Sequence, residues 1–246
     1  MIKAITERTS ILVNEIGIQK LEQSHIFLAG VGGVGSFVAE AIARAGIGNI
    51  TIIDMDTVDP SNINRQLVAL HSTIGKPKIE VMKQRILDIN PNCNVDARQT
   101  FINPENIHQI LTEKKYDYVI DAIDTLNAKV NLVKTSHELG IRTISSMGAG
   151  GRTDPTKIKI ADIYKTHECG LARAMRSRLK RLNVKKGITT VFSTEPGIAP
   201  LPPKESENTE FRARATNGTL SYMPSIFGLT IAGIVIKDII GNEFNK

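Results

Sequence analysis

Four glycines crowded into residues 29–36, AGVGGVGS, constrain this chain more than any other feature. They follow a short apolar run, HIFLA, and lead into Val34 to Ala45, which has helical spacing and small residues. A strand that ends in glycines and opens a helix is the setting in which a nucleotide phosphate is cradled. Gly30 permits the tight turn. Gly32 and Gly33 leave no Cβ between backbone and phosphate, and Gly35 lets the helix pack on the strand. The helix N-terminus offers unpaired N–H groups to an anion. Asp54 ends a β-branched run, NITIID, 24 residues after Gly30, where a carboxylate binds ribose hydroxyls or simply caps the strand end. Glycines and Asp54 alone fit NAD as well as ATP.

The rest of the chain repeats this alternation. Ile11 to Ile16 reads as a short helix, Lys78 to Ile89 as a helix stopped by Asn90-Pro91, NVDAR as a weak strand and Pro104 to Lys115 as a helix. DYVIDAID holds a strand, Leu126 to Leu139 a helix and RTISSMG a strand. Such alternation implies right-handed βαβ units on a parallel sheet. After Gly148 the rhythm changes. GAGGRTDPT is a turn, KIKIADI a strand, Leu171 to Leu182 a basic amphipathic helix and GITTVFSTE a strand. Residues 196–218 read as a long polar loop and Met223 to Ile240 as a final apolar helix. The expected fold is α/β: a Rossmann-like, mostly parallel sheet with helices on both faces, extended by a C-terminal α+β portion. Residues 1–150 form the nucleotide-binding part, and 151–246 a second part packed with it as one domain.

The segment DMDTVDPSNINRQ, residues 54–66, favours ATP. It sets Asp54, Asp56, Asn64, Arg65 and Gln66 just past a strand tip. Hydride transfer needs no arginine beside the cofactor phosphates, whereas nucleotidyl transfer must stabilise negative charge there. Lys78 opens the next helix, and Asp124 follows another strand. In a doubly wound sheet these strand tips face one crevice, where a lysine for phosphates and an aspartate for Mg²⁺ converge. Taken singly, Lys78 also fits a solvated helix residue, and Asp121 or Asp124 a helix cap.

Charge divides the chain unevenly. Residues 1–150 carry 15 Lys+Arg against 16 Asp+Glu, so the net +6 arises wholly in residues 151–246. An acidic partner is therefore expected there. Two cysteines, Cys93 and Cys169, make neither a disulfide framework nor a four-thiolate zinc site, so no zinc and a reducing cytoplasmic setting are expected. No firm membrane association is expected, at most a peripheral contact with the inner membrane.

As a set, GVGGVG, DMD…NINRQ, Lys78 and DAID resemble the adenylyltransferases related to ubiquitin-activating enzymes, over about residues 10–150. The resemblance implies that Gly32 lies by the phosphates, that Asp54 takes the ribose, that Asn64, Arg65 and Lys78 take the triphosphate and that Asp124 takes Mg²⁺. It also implies a homodimer in which Arg65 reaches the neighbouring subunit. Family members with zinc carry two CxxC pairs, which this chain lacks. ALHSTIGKPK, GAGGRTDPTKIKIADI, ARAMRSRLKR and VFSTE extend the likeness to one branch, the tRNA threonylcarbamoyladenosine dehydratases. That branch implies ATP-dependent cyclisation of a threonylcarbamoyl side chain through an acyl-adenylate, with Arg65, Lys78 and Asp124 as the catalytic set.

The expected partners are tRNA bearing threonylcarbamoyladenosine and a second copy of the chain. Arg173, Arg176, Lys180 and Arg181 lie on a helix whose apolar stripe is Leu171, Met175, Leu179 and Leu182, and they are the expected tRNA contacts. An ordinary solvated amphipathic helix has the same pattern. Arg212 and Arg214 add a little to the nucleic-acid reading. The alternative function is activation of the C-terminus of a ubiquitin-like or sulfur-carrier protein, with a sulfur-transfer partner and a role for Cys169.

Overall fold

The β-branched runs pair into one seven-stranded sheet. In the computed structural model, which describes residues 4–201 and 217–245, the strands are β1 (His25–Ala29), β2 (Asn49–Ile53), β3 (Asn94–Arg98), β4 (Tyr118–Asp121), β5 (Thr143–Ser146), β6 (Ile158–Asp162) and β7 (Thr189–Ser193). Their order is β3-β2-β1-β4-β5-β7-β6. All neighbours are parallel except β6 and β7, whose antiparallel register sets Ile160 against Val191. The chain switches direction across the sheet at β1, which pairs with β2 on one side and β4 on the other. In such a sheet the strand tips at the switch leave a crevice for ligands.

The helices follow the apolar period. They are α1 (Glu15–Gln23), α2 (Gly35–Arg44), α3 (Lys78–Ile89), α4 (Ile107–Thr112), α5 (Leu126–Glu138), α6 (Gly170–Arg181) and α7 (Tyr222–Ile240). One face of the sheet packs on α1, α2, α3 and α7 through residues such as Leu28, Ile52, Val38, Ile86 and Phe227. Phe27, Ile53, Val119 and Leu132 fill the other face with α4 and α5, while Met175, Leu179 and Phe192 join α6 to β7. Helix α7 has the length and composition of a membrane span, yet half of that window is buried in the protein. Met223, Phe227, Ile231 and Val235 are core residues, and that burial accounts for their apolarity.

Three sequence expectations shift. The helix expected at Ile11 to Ile16 is a short 3₁₀ turn, Thr9–Ile11, and α1 begins at Glu15 because the Asn14 side chain accepts from the Gly17 N–H at 2.9 Å. The helix expected from Pro104 to Lys115 shortens to α4. Asn103 Oδ1 accepts from the N–H groups of Glu105 and Asn106, holding that stretch in a turn. Leu182, expected on the apolar stripe of the basic helix, lies past its end and is exposed, while Ala172, Met175 and Leu179 are buried. Arg212 and Arg214 lie outside the described residues.

Candidate active site

A cleft of about 810 Å³ opens over the C-terminal ends of β1, β2, β4 and β5. Its first half is built by the glycine turn. Gly30 has φ +88°, and a Cβ there would sit 2.8 Å from the Ala122 carbonyl oxygen. A Cβ on Gly35 would lie 1.8 Å from the Gly30 carbonyl oxygen, so only glycine allows α2 to start so close to β1. Gly35 thus shapes the turn from beneath and does not line the cleft, whereas Gly30, Gly32 and Gly33 do.

Asp54 holds the turn in place. Its Oδ2 accepts from the Val31 N–H at 2.8 Å and its Oδ1 from the Asp56 N–H at 2.9 Å. Burial keeps its carboxyl above the ordinary carboxylate range, while these two N–H donors oppose that shift. The strand-end cap read from the sequence is therefore present, on a carboxylate that still lines the cleft.

Lys78 is buried at 5% exposure, so the solvated-residue reading does not hold. Its Nζ meets Asp56 Oδ2 at 2.9 Å, and both side chains line the cleft. Arg65 lines the cleft of its own chain and donates through Nη1 to the Ser61 carbonyl and to Asn64 Oδ1, each at 2.9 Å. Asn64 does not line the cleft; its amide reaches the Thr219 carbonyl at 3.0 Å. Gln66 is buried on the cleft wall, and its Oε1 has no partner among the described residues. Asp124 is exposed on the cleft floor beyond β4. Among the described residues no group of three or more His, Cys, Asp or Glu is placed to hold a metal.

The support beneath Asp124 was invisible in the sequence. Asp121, weighed there as a helix cap, is fully buried and pairs with the equally buried Lys129 at 2.8 Å. Ser145 Oγ donates to Asp121 Oδ2 at 2.5 Å, the Ile123 N–H donates to Oδ1 at 3.1 Å, and Lys129 Nζ also donates to the Ile123 carbonyl at 3.0 Å. Those bonds fix residues 122–124 from both sides. Burial holds the Asp121 carboxyl above the ordinary range, against the pull of Lys129.

The second half of the cleft lies beyond β5. Gly148, Gly150, Arg152, Cys169, Gly170, Gly197 and Asn217 line it. Cys169 is buried, and α6 starts at Gly170 on the cleft wall. From there the basic face of α6 runs outward, with Arg173, Lys180 and Arg181 exposed. Arg176 is less free: its Nη1 donates to the Thr166 carbonyl at 2.9 Å and to the Thr166 hydroxyl.

A family model matches nearly the whole chain: ThiF, over residues 7–246. The chain belongs to the ThiF family. Relatives reach high identity within it. The tRNA threonylcarbamoyladenosine dehydratase of Bacillus subtilis is 42% identical over 238 residues, spanning 95% of this chain and 93% of that protein. The Escherichia coli protein of the same name is 41% identical over 215 residues, spanning 85% and 78%. Solved structures of the E. coli tRNA N6-threonylcarbamoyladenosine dehydratase include one in complex with ATP. It superposes with a TM-score of 0.82 at 37% identity, over 92% of this chain and 89% of that one. An AMP complex matches equally well. This ThiF-family fold is thus the Rossmann-like α/β sheet expected from the sequence.

Proposed function

We propose that this chain is an ATP-dependent tRNA threonylcarbamoyladenosine dehydratase. The observation that carries the reading is the meeting of Arg65, Lys78 and Asp124 with the glycine turn in one cleft. The chain holding it aligns over 95% of its length with a dehydratase of that name. A threonyl carboxylate is ionised at neutral pH, since carboxyl groups titrate near ~3.5–4. It needs no general base to attack the α-phosphate of ATP. It needs alignment and neutralised charge, because both reactants are anionic.

Gly30, Gly32 and Gly33 admit the phosphates against the backbone, with Lys78 and Arg65 as their counter-charges; Gln66 Oε1, without a partner among the described residues, accepts from a hydroxyl or amino donor of the nucleotide. Asp54 is the group for the ribose. Asp56 must yield Lys78 as the phosphates arrive. Magnesium carried in with the nucleotide would take a ligand from Asp124 and supplies further neutralisation; such an ion needs only one or two carboxylates beside phosphate oxygens. The carboxylate oxygen bonds to the α-phosphorus and pyrophosphate leaves. The carbamoyl group of the same side chain then attacks the acyl carbon, closes a five-membered ring, and releases AMP and a proton. Oriented intramolecular attack gains an effective molarity of about 10⁵ M or more, so no enzyme nucleophile is required.

The direct test is incubation with ATP, Mg²⁺ and modified tRNA, followed by nucleoside mass spectrometry. The expected product lacks one water, and AMP forms in equal amount. An unchanged nucleoside with no AMP sinks the reading. Because Cys169 lines the cleft, a second reading stands beside it: activation of a carrier protein's C-terminal carboxylate, with a sulfur-transfer partner and a cysteine step. Cys169→Ala is expected to retain cyclisation; its complete loss with an intact fold would favour that second reading.

The tRNA belongs along α6. Neutralising Arg173, Lys180 and Arg181 together is expected to weaken tRNA binding and to flatten its salt dependence by about 0.7–0.9 in log–log slope per lost phosphate contact. An unaltered slope takes α6 out of the interface. A second copy of the chain would pack on the segment that follows Arg65 in sequence, where Leu70 and Ile74 are exposed. We place the enzyme in the cytoplasm.

A further inference from the structure

Among the described residues Arg152 is the least explained charge. It is 5% exposed, yet Nε and Nη1 find no acceptor among the described residues. Among the described residues only Nη2 is used, donating to the Glu168 carbonyl at 2.6 Å. A buried cation with unmet donors is costly, and each such donor in a native structure calls for an explanation, such as a catalytic role or a bound water or ion. Among the described residues the charge of Arg152 is felt by Glu195, which spends its oxygens on the Thr153 N–H, the Thr153 hydroxyl and the Asp154 N–H. Glu195 anchors the loop without capping the guanidinium.

The guanidinium reaches the cleft wall because little bulk stands beside it. Gly197 sits against the guanidinium, and a Cβ there would meet Arg152 Cζ at 3.2 Å. The bond to Glu168 steadies a residue with φ +53°, directly before Cys169 and the start of α6. Arg152 lines the same cleft as Lys78 and Asp124, but its loop follows β5, separated from β1 by β4. Lys78 and Arg65 come from the β2 side, so the two groups of cations flank the Asp124 floor.

We infer that Arg152 is the anchor for the carboxylate of the acyl substrate, bringing it from the β5 side of the cleft up to the nucleotide phosphates. The assignment rests on the acyl-activation reading above. A guanidinium suits this task because it stays charged and gives charge-assisted hydrogen bonds to a carboxylate. It also screens the approach of one anion to another.

The test uses Arg152→Lys and Arg152→Gln, which keep a long side chain beside Glu168, with parent protein alongside. The probes are ATP, the nucleoside threonylcarbamoyladenosine and its methyl ester, measured by calorimetry, with turnover followed on modified tRNA. In the parent, the free carboxylate is expected to bind at least about ten-fold better than the ester. In Arg152→Gln that preference disappears, KM for modified tRNA rises about ten-fold or more, and ATP affinity stays within two-fold. Arg152→Lys retains part of the preference. An equal loss of ATP affinity would assign Arg152 to the nucleotide and overturn the inference, as would an ester preference identical to the parent's. A parent that binds the acid well but forms no product leaves the anchor standing and removes the dehydratase reading. Arg152→Gln with full turnover and unchanged KM does the reverse. Gly197→Val is a second variant away from the charge itself. It crowds the guanidinium and should lower affinity for the acid while sparing that for the ester; equal loss of both would contradict the role.

Discussion

Replacing Lys78 by Met is expected to lower the rate of AMP release by about 10³-fold while the fold stays at least as stable as the parent. The rate term follows from position. A single preorganised donor aimed at developing negative charge contributes about 10²–10³ in rate, and cationic groups on a transferring phosphoryl contribute more. Lys78 is buried, so its charge acts in a medium that screens it weakly. The stability term follows from asymmetry across the ion pair. The Lys78 side chain is 6% exposed and that of Asp56 59%. Removing the lysine leaves an aspartate that water already reaches. A buried methionine costs no desolvation of an ammonium group. Turnover assays and thermal unfolding on one preparation check both halves. Unchanged turnover, or a melting temperature lowered enough to explain the loss, would separate Lys78 from the chemistry. Asp56→Asn is the companion control, since it breaks the same bond and keeps the ammonium group.

Lys129→Met is expected to be the opposite case, a variant whose main defect is folding. Here both partners are fully buried, and the residue left behind is a carboxylate with no route to water. Breaking such a pair from one side costs about 3–5 kcal/mol. Asp121 already titrates above its ordinary value because burial outweighs Lys129, Ser145 and the Ile123 N–H. Without the ammonium it moves further up. A carboxyl raised in the folded state gives stability that is complete below its unfolded pKa, roughly 3.9, and that is lost as pH rises through the folded value. The deficit of Lys129→Met relative to the parent should therefore be largest at neutral pH and narrow toward pH ~4. The double variant Lys129→Met, Asp121→Asn should recover most of the loss. Denaturant unfolding from pH 4 to 8 measures all three, and a deficit that widens in acid would contradict the account.

These two lysines mark how far a sequence can be read. Lys78 was legible because its neighbours carried the argument: glycines upstream, an acidic and arginine-bearing strand tip, then a lysine opening a helix. Lys129 was not, because a lysine one turn into an ordinary helix looks solvated until β5 is known to pass beneath it with Ser145. Arg152 stood in plain view within GAGGRTDPT, yet no pattern of residues reports that a guanidinium is buried or that Gly197 has made room for it. Strand positions came through well, since β-branched runs bounded by turns have few other homes in a parallel sheet. Helix ends near asparagine fared worse. Asn14 and Asn103 redirect the local backbone through their own side chains, and hydrophobic spacing does not register that competition. Arg176 belongs to the same lesson: helical spacing put it on a basic flank, and a threonine from the preceding turn claimed it.

Helix α7 closes over α2, although some 180 residues separate the end of one from the start of the other, and Asn245 ties back to the carbonyls of Ser10 and Ile11. A growing polypeptide therefore emerges with the greasy flank of its nucleotide turn uncovered until α7 clears the ribosome. Chains halted before Tyr222 would present that flank to one another, which makes premature termination a route to aggregates rather than to a smaller working enzyme.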